Sequence, residues 1–185
     1  MGSNKKFLGN PTIFLDRDGV ITSEILRKDG TFGSPRETFE IEYIGQSLDT
    51  LKNFSNLNFN TVVISNQPDI NNKRINPATL YEINNVLFNS GRLSAILYCP
   101  HDRTENCFCR KPEQEMLTWA AQYFDVKPNQ CVMVGDRKTD IEAADNFGCE
   151  AIHISNHISS CNSLSHEHFQ NLEKASNYIF TKFKS

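Results

Sequence analysis

No run in this 185-residue chain is apolar over the length a bilayer crossing needs, and no charged-then-apolar start of the secretory kind opens it. The chain also lacks an excess of basic charge. Its 19 Lys and Arg stand against 22 Asp and Glu, for a formal net charge of −3 at pH 7. Proteins built around nucleic acid or an anionic membrane surface carry a basic face, so neither partner is expected. Internal repeats, low-complexity tracts and a domain boundary are missing as well. A chain of this size buries a full core without staples, so one domain over 1–185 is expected. The opening MGSNKK reads as part of a short disordered tip, 1–10. A lipid anchor on Gly2 would need Ser or Thr at position 6, where Lys6 stands. A cytoplasmic monomer is expected.

Cysteine is sparse except in one place. Of six cysteines, three fall within CPHDRTENCFCRKP (99–112), together with His101. Reduced compartments favour metal ligation over disulfides for such clusters.

Five runs predict strands: 12–16, 60–65, 94–99, 131–136 and 150–155. Most are continuously apolar, as expected of parallel strands buried on both faces. Helical spacing links them. It is carried by Leu48, Leu51 and Phe54, then by Leu80, Ile83, Val86 and Leu87 after Pro77. A third set is Met116, Trp119, Ala120 and Tyr123 after Pro112, and a fourth is Ile141, Ala144 and Phe147 before Gly148. A tail helix over roughly 166–183 would carry Phe169, Leu172, Ala175, Ile179 and Phe183. Segments 23–40 and 155–165 read as loops. The expected fold is α/β, a doubly wound, mainly parallel Rossmann-like sheet of five or more strands. In such sheets ligands bind beyond the carboxyl ends of the strands. The residues with chemical potential all stand there.

FLDRDGV (14–20) ends the first strand in Asp16 and Asp18. A spacing of two in extended chain turns both carboxylates the same way. One carboxylate can attack a phosphoryl group, and the other can protonate the leaving alcohol and then deprotonate water. A plain turn is the alternative for this motif alone. A calcium loop is not, because its sixth and twelfth positions hold Ile21 and Arg27. Ser65, in VVISNQ (62–67), offers a hydroxyl for phosphate oxygens; alone it reads more often as a turn or cap. Lys111 can neutralise developing negative charge, or be a solvated lysine. VGDRKTD (134–140) brings Asp136, which can complete a Mg²⁺ site with Asp16. Asp140 either supports that site or is a helix N-terminal acid favoured by the dipole.

Cys99, His101, Cys107 and Cys109 form C-x-H-x5-C-x-C, a ligand set for a closed, tetrahedral structural Zn²⁺. Free thiols or a disulfide are the alternatives. The metal would order a loop, 99–110, that has too few apolar residues to order itself, and would hold Arg110 and Lys111 near the site.

In this order the motifs resemble the haloacid dehalogenase superfamily of phosphohydrolases, over about 16–140. The resemblance implies Asp16 as nucleophile and Mg²⁺ ligand, and Asp18 as general acid/base with its backbone carbonyl on the metal. It implies Ser65 and Lys111 on the transferring phosphoryl, with Asn66 and Arg110 among the substrate contacts, and Asp136 on Mg²⁺. Gaps of 46 residues between Asp18 and Ser65 and 45 between Ser65 and Lys111 leave no room for a large cap domain. FLDRDGV, SNQ, CPH…CxCRKP and GDRKTD further resemble the zinc-containing subgroup of heptose 1,7-bisphosphate phosphatases and histidinol-phosphatases. That likeness implies a small phosphorylated metabolite as substrate. A free-standing domain favours the heptose enzymes and a role in surface-carbohydrate synthesis. The five-residue spacer between His101 and Cys107, and GDRKTDI, lean to the histidinol-phosphatases. After SNQ the heptose enzymes carry a Gly-Ile-Ala-Arg-Gly-like turn; here PDINNKR (68–74) offers Lys73 or Arg74 in its place.

Segment 33–42 reads as a flap over the site, with Arg36 as a substrate contact. Cys131 and Cys149 read as buried thiols and Cys161 stays unassigned. His153, His157, His166 and His168 show no ligand-like partner. A receiver-like phospho-acceptor is a competing class, opposed by Asp18, which would shorten the life of a phospho-aspartate. A silent binding protein is another, opposed by the full set of chemical residues.

Overall fold

Every residue of TIFL in Thr12–Leu15 (β1) is buried, which is why that stretch shows no polar alternation. A computed structural model describes residues 7–155 and 166–183. In it β1 lies inside a six-stranded sheet with Asn60–Asn66 (β4), Ala95–Cys99 (β5), Cys131–Gly135 (β6), Glu150–Ile154 (β7) and Glu167–Phe169 (β8). The strand order is β5-β4-β1-β6-β7-β8, and every neighbouring pair is parallel.

Alternate residues of the strands feed two cores. Ile13, Leu15, Val63, Val132, Val134 and Ile152 face one side, covered by Ser47–Asn56 (α1), Pro77–Gly91 (α2) and Leu172–Phe183 (α5). Phe14, Val62, Ile64, Met133 and Ala151 face the other, covered by Glu115–Phe124 (α3) and Lys138–Phe147 (α4). The helical spacings place Leu51, Phe54, Leu80, Ile83, Leu87, Met116 and Ala120 in these cores, whereas Val86, Trp119 and Tyr123 are exposed. Truncating a fully buried aromatic such as Phe54 to Ala would cost about 3–5 kcal/mol.

Three expectations need correction. The tail is not one helix: Phe169 belongs to β8, and α5 starts at Leu172. Pro112 does not open a helix, because α3 begins at Glu115; the Lys111–Pro112 peptide is cis. Segment 23–40 is not all loop. It holds an antiparallel hairpin, Ile25–Leu26 (β2) with Phe32–Gly33 (β3), and a 3₁₀ turn, Thr38–Glu40.

Residues 7–10 are tied down: Gly9 N–H donates to Phe124 O at 2.8 Å and the Asn60 amide donates to Phe7 O at 2.8 Å. The first six residues of the expected tip, and His157 and Cys161 with most of the 155–165 loop, lie outside the described residues. No helix among the described residues is long and apolar enough to cross a membrane.

Candidate active site

A cavity of about 720 Å³ opens at the carboxyl ends of β1, β4 and β5. Asp16, Asp18, Ser65, Asn66, Arg110, Lys111 and Asp140 all line it, together with Arg36 and Arg74. Asp136 stands beside them, because one carboxylate oxygen from each of Asp16, Asp136 and Asp140 falls within 4.8 Å of the others.

Lys111 is the hub of this group. Its Nζ lies 3.0 Å from Asp16 Oδ1 and 2.6 Å from Asp140 Oδ1, and donates to Ile64 O at 2.6 Å. Burial alone would lower its pKa, but Asp140 and Asp16 raise it above the usual lysine value. One buried cation thus faces three clustered carboxylates, and the surplus negative charge shows on two of them. Burial pushes Asp16 up to about 6 against the pull of Lys111. Burial, with Asp16 and Asp140 nearby, pushes Asp136 up to about 7.

Asp140 takes the helix N-terminal position and also meets Lys111. Its Oδ2 accepts the Arg137 N–H at 3.0 Å in the first turn of α4, while Oδ1 meets Lys111. Asp16 receives Arg17 N–H and Lys111 on the same oxygen, Oδ1, which leaves Oδ2. Asp136 Oδ1 is buried with no hydrogen-bond partner among the described residues. The Asp18 carbonyl accepts no backbone hydrogen bond among them. An orphaned carboxylate oxygen, a net negative cluster and hard oxygen donors together fit a divalent cation of the magnesium class.

Glycine makes this closeness achievable. Gly19 has φ +92°, and a Cβ there would sit 2.1 Å from Asp136 Oδ2. A Cβ at Gly135 would sit 2.2 Å from the Asp140 Cβ.

Asp18 is held differently. Arg17, itself buried, pairs with it twice: Nε to Oδ1 at 3.0 Å and Nη2 to Oδ2 at 2.9 Å. Ser34, Gln67 and Thr22 donate to it at 2.7, 3.0 and 3.1 Å. Burial would raise its pKa, yet Arg17 and these donors hold it below the usual carboxylate range. Gln67 Nε2 also donates to Ser65 Oγ at 2.8 Å, leaving the serine hydroxyl hydrogen for another acceptor.

Asn66 lines the cavity, and its amide pairs with the Lys111 backbone. Nδ2 donates to Lys111 O and Oδ1 accepts the Lys111 N–H, both at 3.1 Å. This two-point pairing fixes the Lys111 backbone to the end of β4. Arg110 donates to His101 O at 2.8 Å and remains on the cavity wall.

Cys99, His101, Cys107 and Cys109 converge. Sulfur–sulfur distances run from 3.3 to 3.8 Å, and His101 Nδ1 lies 3.4 Å from both Cys99 and Cys109 Sγ. A disulfide needs sulfurs about 2.05 Å apart, so none is formed. Ligands about 2.0–2.3 Å from one tetrahedral ion stand roughly 3.5–3.8 Å from one another, which these distances approach. The cluster could hold a metal ion.

The flap expectation has a structural counterpart. Arg27 pairs twice with Glu40, at 2.7 and 3.1 Å, and donates to Ser34 O. Arg36 Nε donates to Asp69 Oδ2 at 2.8 Å, and Arg74 lies 3.6 Å from Asp69 Oδ1. Lys73 lies outside the main cavity, on a shallow depression between 70–74 and 102–105.

Sequence reasoning missed Arg17 and Ser34, and gave Gln67, just past the end of β4, no role. It also read His153 and His168 as partnerless. Their Nδ1 atoms are 3.2 Å apart, and His153 Nε2 lies 3.0 Å from Asp136 O. The signal available was register alone, since β6 and β7 pair Gly135 with His153.

A family model described as HAD-hydrolase-like matches residues 108–180. The chain is 32% identical over 143 residues to a D-glycero-beta-D-manno-heptose-1,7-bisphosphate 7-phosphatase of Helicobacter pylori, covering 74% of this chain and 79% of that protein. It is 30% identical over 159 residues to the histidine biosynthesis bifunctional protein HisB of Actinobacillus pleuropneumoniae, but spans only 39% of it. Among solved structures, a D,D-heptose 1,7-bisphosphate phosphatase from B. bronchiseptica, complexed with magnesium and phosphate, superposes with a TM-score of 0.81. It is 22% identical, and the match covers 92% of this chain and 98% of that one. The chain belongs to the haloacid dehalogenase-like phosphatases, in the group that includes the heptose-bisphosphate 7-phosphatases and the HisB proteins.

Proposed function

We propose that the protein is a magnesium-dependent phosphomonoesterase that removes the 7-phosphate of D-glycero-D-manno-heptose 1,7-bisphosphate through an aspartyl phosphate. The observation that carries this is the joint placement of Asp16 and Asp18 in one cavity, with Asp16 Oδ1 3.0 Å from a fully buried Lys111.

Asp16 Oδ2 attacks phosphorus, and the bond from phosphorus to the ester oxygen breaks. Asp18, as its acid, gives a proton to the departing alkoxide. Asp18, now a carboxylate, takes a proton from water, which attacks phosphorus and breaks the bond to Asp16. Phosphate leaves and Asp16 is regenerated. Lys111 and the Ser65 hydroxyl hold the equatorial oxygens as charge builds on them. Asp16, Asp136 and the Asp18 carbonyl would hold Mg²⁺, which supplies charge neutralisation at the phosphoryl group when bound. In the arrangement described, Asp18 is paired with Arg17 and ionised, the form that activates water.

The distal phosphate is assigned to the outer cations of the cleft. Arg110 and Arg74 line it, and Arg36 reaches it from the flap. Asn66 acts through Lys111. The Cys/His cluster is assigned to a structural Zn²⁺ that shapes the loop over 99–110. The activity belongs to a cytoplasmic monomer in the heptose branch of carbohydrate metabolism that feeds lipopolysaccharide.

Histidinol phosphate is the second reading. The five-residue spacer in the cysteine loop and the HisB similarity favour it. Phosphate release with Mg²⁺ from heptose 1,7-bisphosphate and from histidinol phosphate, side by side, decides between them. An Asp16→Asn variant is the blank. Preference for the bisphosphate sustains the proposal, and preference for histidinol phosphate replaces it. Release from neither ends the phosphatase reading.

A further inference from the structure

Two arginines from separate parts of the chain meet on one buried carboxylate of the cavity wall. Asp69 Oδ2 accepts Arg36 Nε at 2.8 Å, and Asp69 Oδ1 lies 3.6 Å from Arg74 Nη1. All three residues line the cavity. Asp69 is 9% exposed, whereas the Arg36 and Arg74 side chains are 30% and 60% exposed. The carboxylate is the buried anchor and the guanidinium groups are its accessible ends. Among the described residues, the Nη groups of Arg36 and the whole Arg74 guanidinium make no hydrogen bond.

Both sides of this junction are held. Asp69 O accepts the Arg74 N–H at 2.8 Å and the Ile75 N–H at 3.2 Å, and Ile75 is buried in the core. The turn over 69–75 is thereby closed on Asp69 itself. On the flap, Arg36 N–H donates to Glu40 Oε2 at 2.7 Å, and Glu40 pairs twice with Arg27. Two neighbouring guanidinium groups repel one another. One carboxylate between them offsets that repulsion and still leaves a surplus positive charge. Engaging Arg36 through Nε also sets the plane of its guanidinium, so its remaining N–H groups are left for a two-point contact with phosphate.

We propose that Asp69 is a positioning residue for substrate selection, which sets Arg36 and Arg74 as a pair for a second phosphate of the substrate. Asp69 does not touch that phosphate; it acts through the two arginines. A substrate with one phosphate leaves the pair unused. This inference rests on the reading above that assigns the distal phosphate to these cations, and adds the group that organises them.

Two esters that differ only in the second phosphate test it. Wild type, Asp69→Ala and Asp69→Asn are assayed with Mg²⁺ on heptose 1,7-bisphosphate, on heptose 7-phosphate and on p-nitrophenyl phosphate, with thermal melting as a check on folding. Asp69→Ala is expected to raise KM for the bisphosphate by about tenfold or more with kcat within about twofold, the pattern of lost uniform binding. Its KM for the 7-phosphate should stay within about twofold. Asp69→Asn keeps an oxygen for Arg36 Nε, and its KM for the bisphosphate should fall between those of wild type and Ala. Equal changes on both heptose esters, an unchanged KM for the bisphosphate, or Asn performing no better than Ala overturns the inference. So does a lower KM for the bisphosphate in Asp69→Ala, which would make Asp69 a group that repels the second phosphate. A wild type that hydrolyses p-nitrophenyl phosphate but handles the two heptose esters alike, or takes neither, overturns the inference while phosphatase chemistry stands. A wild type silent on all three esters ends the phosphatase reading itself, and the role of Asp69 falls with it.

Discussion

Lys111 Nζ stands 2.6 Å from Asp140 Oδ1, with 2% and 0% of the two side chains exposed. Neither group can exchange its partner for water. Removing one member of a buried pair leaves the other charged and unpaired, at about 3–5 kcal/mol. Asp140→Ala also deletes the acceptor for the Arg137 N–H. It is expected to lose stability in that range by denaturant unfolding. Asp140→Asn keeps an oxygen for Arg137 and should unfold later than the Ala variant, yet still lose phosphatase activity, because Lys111 has lost one of its two counter-charges. Near-wild-type activity in both would show that Asp16 and Ile64 O suffice to place the lysine.

Gly19 gives a sharper test of the proposed magnesium site. At φ +92° any side chain is strained, and a Cβ would lie 2.1 Å from Asp136 Oδ2. Gly19→Ala must therefore push the Asp136 carboxylate away. The magnesium dissociation constant by calorimetry should rise by more than about tenfold, a cost above about 1.4 kcal/mol. Gly30 is the control, with φ +80° and nothing within 4 Å of a Cβ. Gly30→Ala should cost only backbone strain, of order 1 kcal/mol, and leave magnesium binding unchanged. Equal magnesium affinity in the two variants would remove Asp136 from the metal site.

The same carboxylates set a pH dependence. Asp16 and Asp136 are pushed up to about 6 and about 7, whereas an unfolded aspartate ionises near about 3.9. Between those values the folded site still holds protons that the unfolded chain has released. The metal-free protein therefore loses stability as pH rises from about 4 to about 7. Asp18 works in the opposite sense, since its pKa is lowered; its contribution is lost only below about pH 4 and does not act in this window. Magnesium should raise the melting temperature strongly near about pH 7.5 and little near about pH 5, where protons compete for the same oxygens. An equal rise at both would mean that the cation binds elsewhere.

Much of the site was legible because parallel strands write themselves plainly. TIFL and CVMVG are buried on both faces, so they read as unbroken apolar runs, and the chemical residues fall at their ends. Asp16 and Asp136 directly follow those two strands. Asp18's partners were not legible. Gln67 reaches it across 49 residues and Ser34 across 16, and nothing local distinguishes either from a solvated side chain. Asn66, which the resemblance implies as a substrate contact, lines the cavity while its amide pairs with a backbone 45 residues away, a partner that no local signal marks. β8 was hidden because its three residues, Glu167–Phe169, continue a helical spacing into Leu172, Ala175 and Ile179. Helical period alone could not tell a short edge strand from the first turn of α5.

The Cys/His cluster makes a prediction that separates its metal from the one at Asp16. The loop it would order docks on 68–74: Asn71 donates to Glu105 at 2.9 Å and Asn72 to Asp102 at 3.1 Å. Arg74, on that segment, lines the cavity. Lys111 follows the cluster by two residues but has anchors of its own, in Asn66, Asp140, Asp16 and Ile64 O. Stripping the structural metal should therefore loosen the outer cations before it disturbs the phosphoryl site. Elemental analysis should find one zinc per chain, lost in Cys107→Ser. Stripped protein returned to excess Mg²⁺ should melt earlier and show a raised KM for the bisphosphate. Its kcat on p-nitrophenyl phosphate should stay within about twofold, since a small ester uses no outer contact. If kcat on the small ester collapses together with the bisphosphate activity, the cluster supports Lys111 directly and the loop is not a separate specificity element.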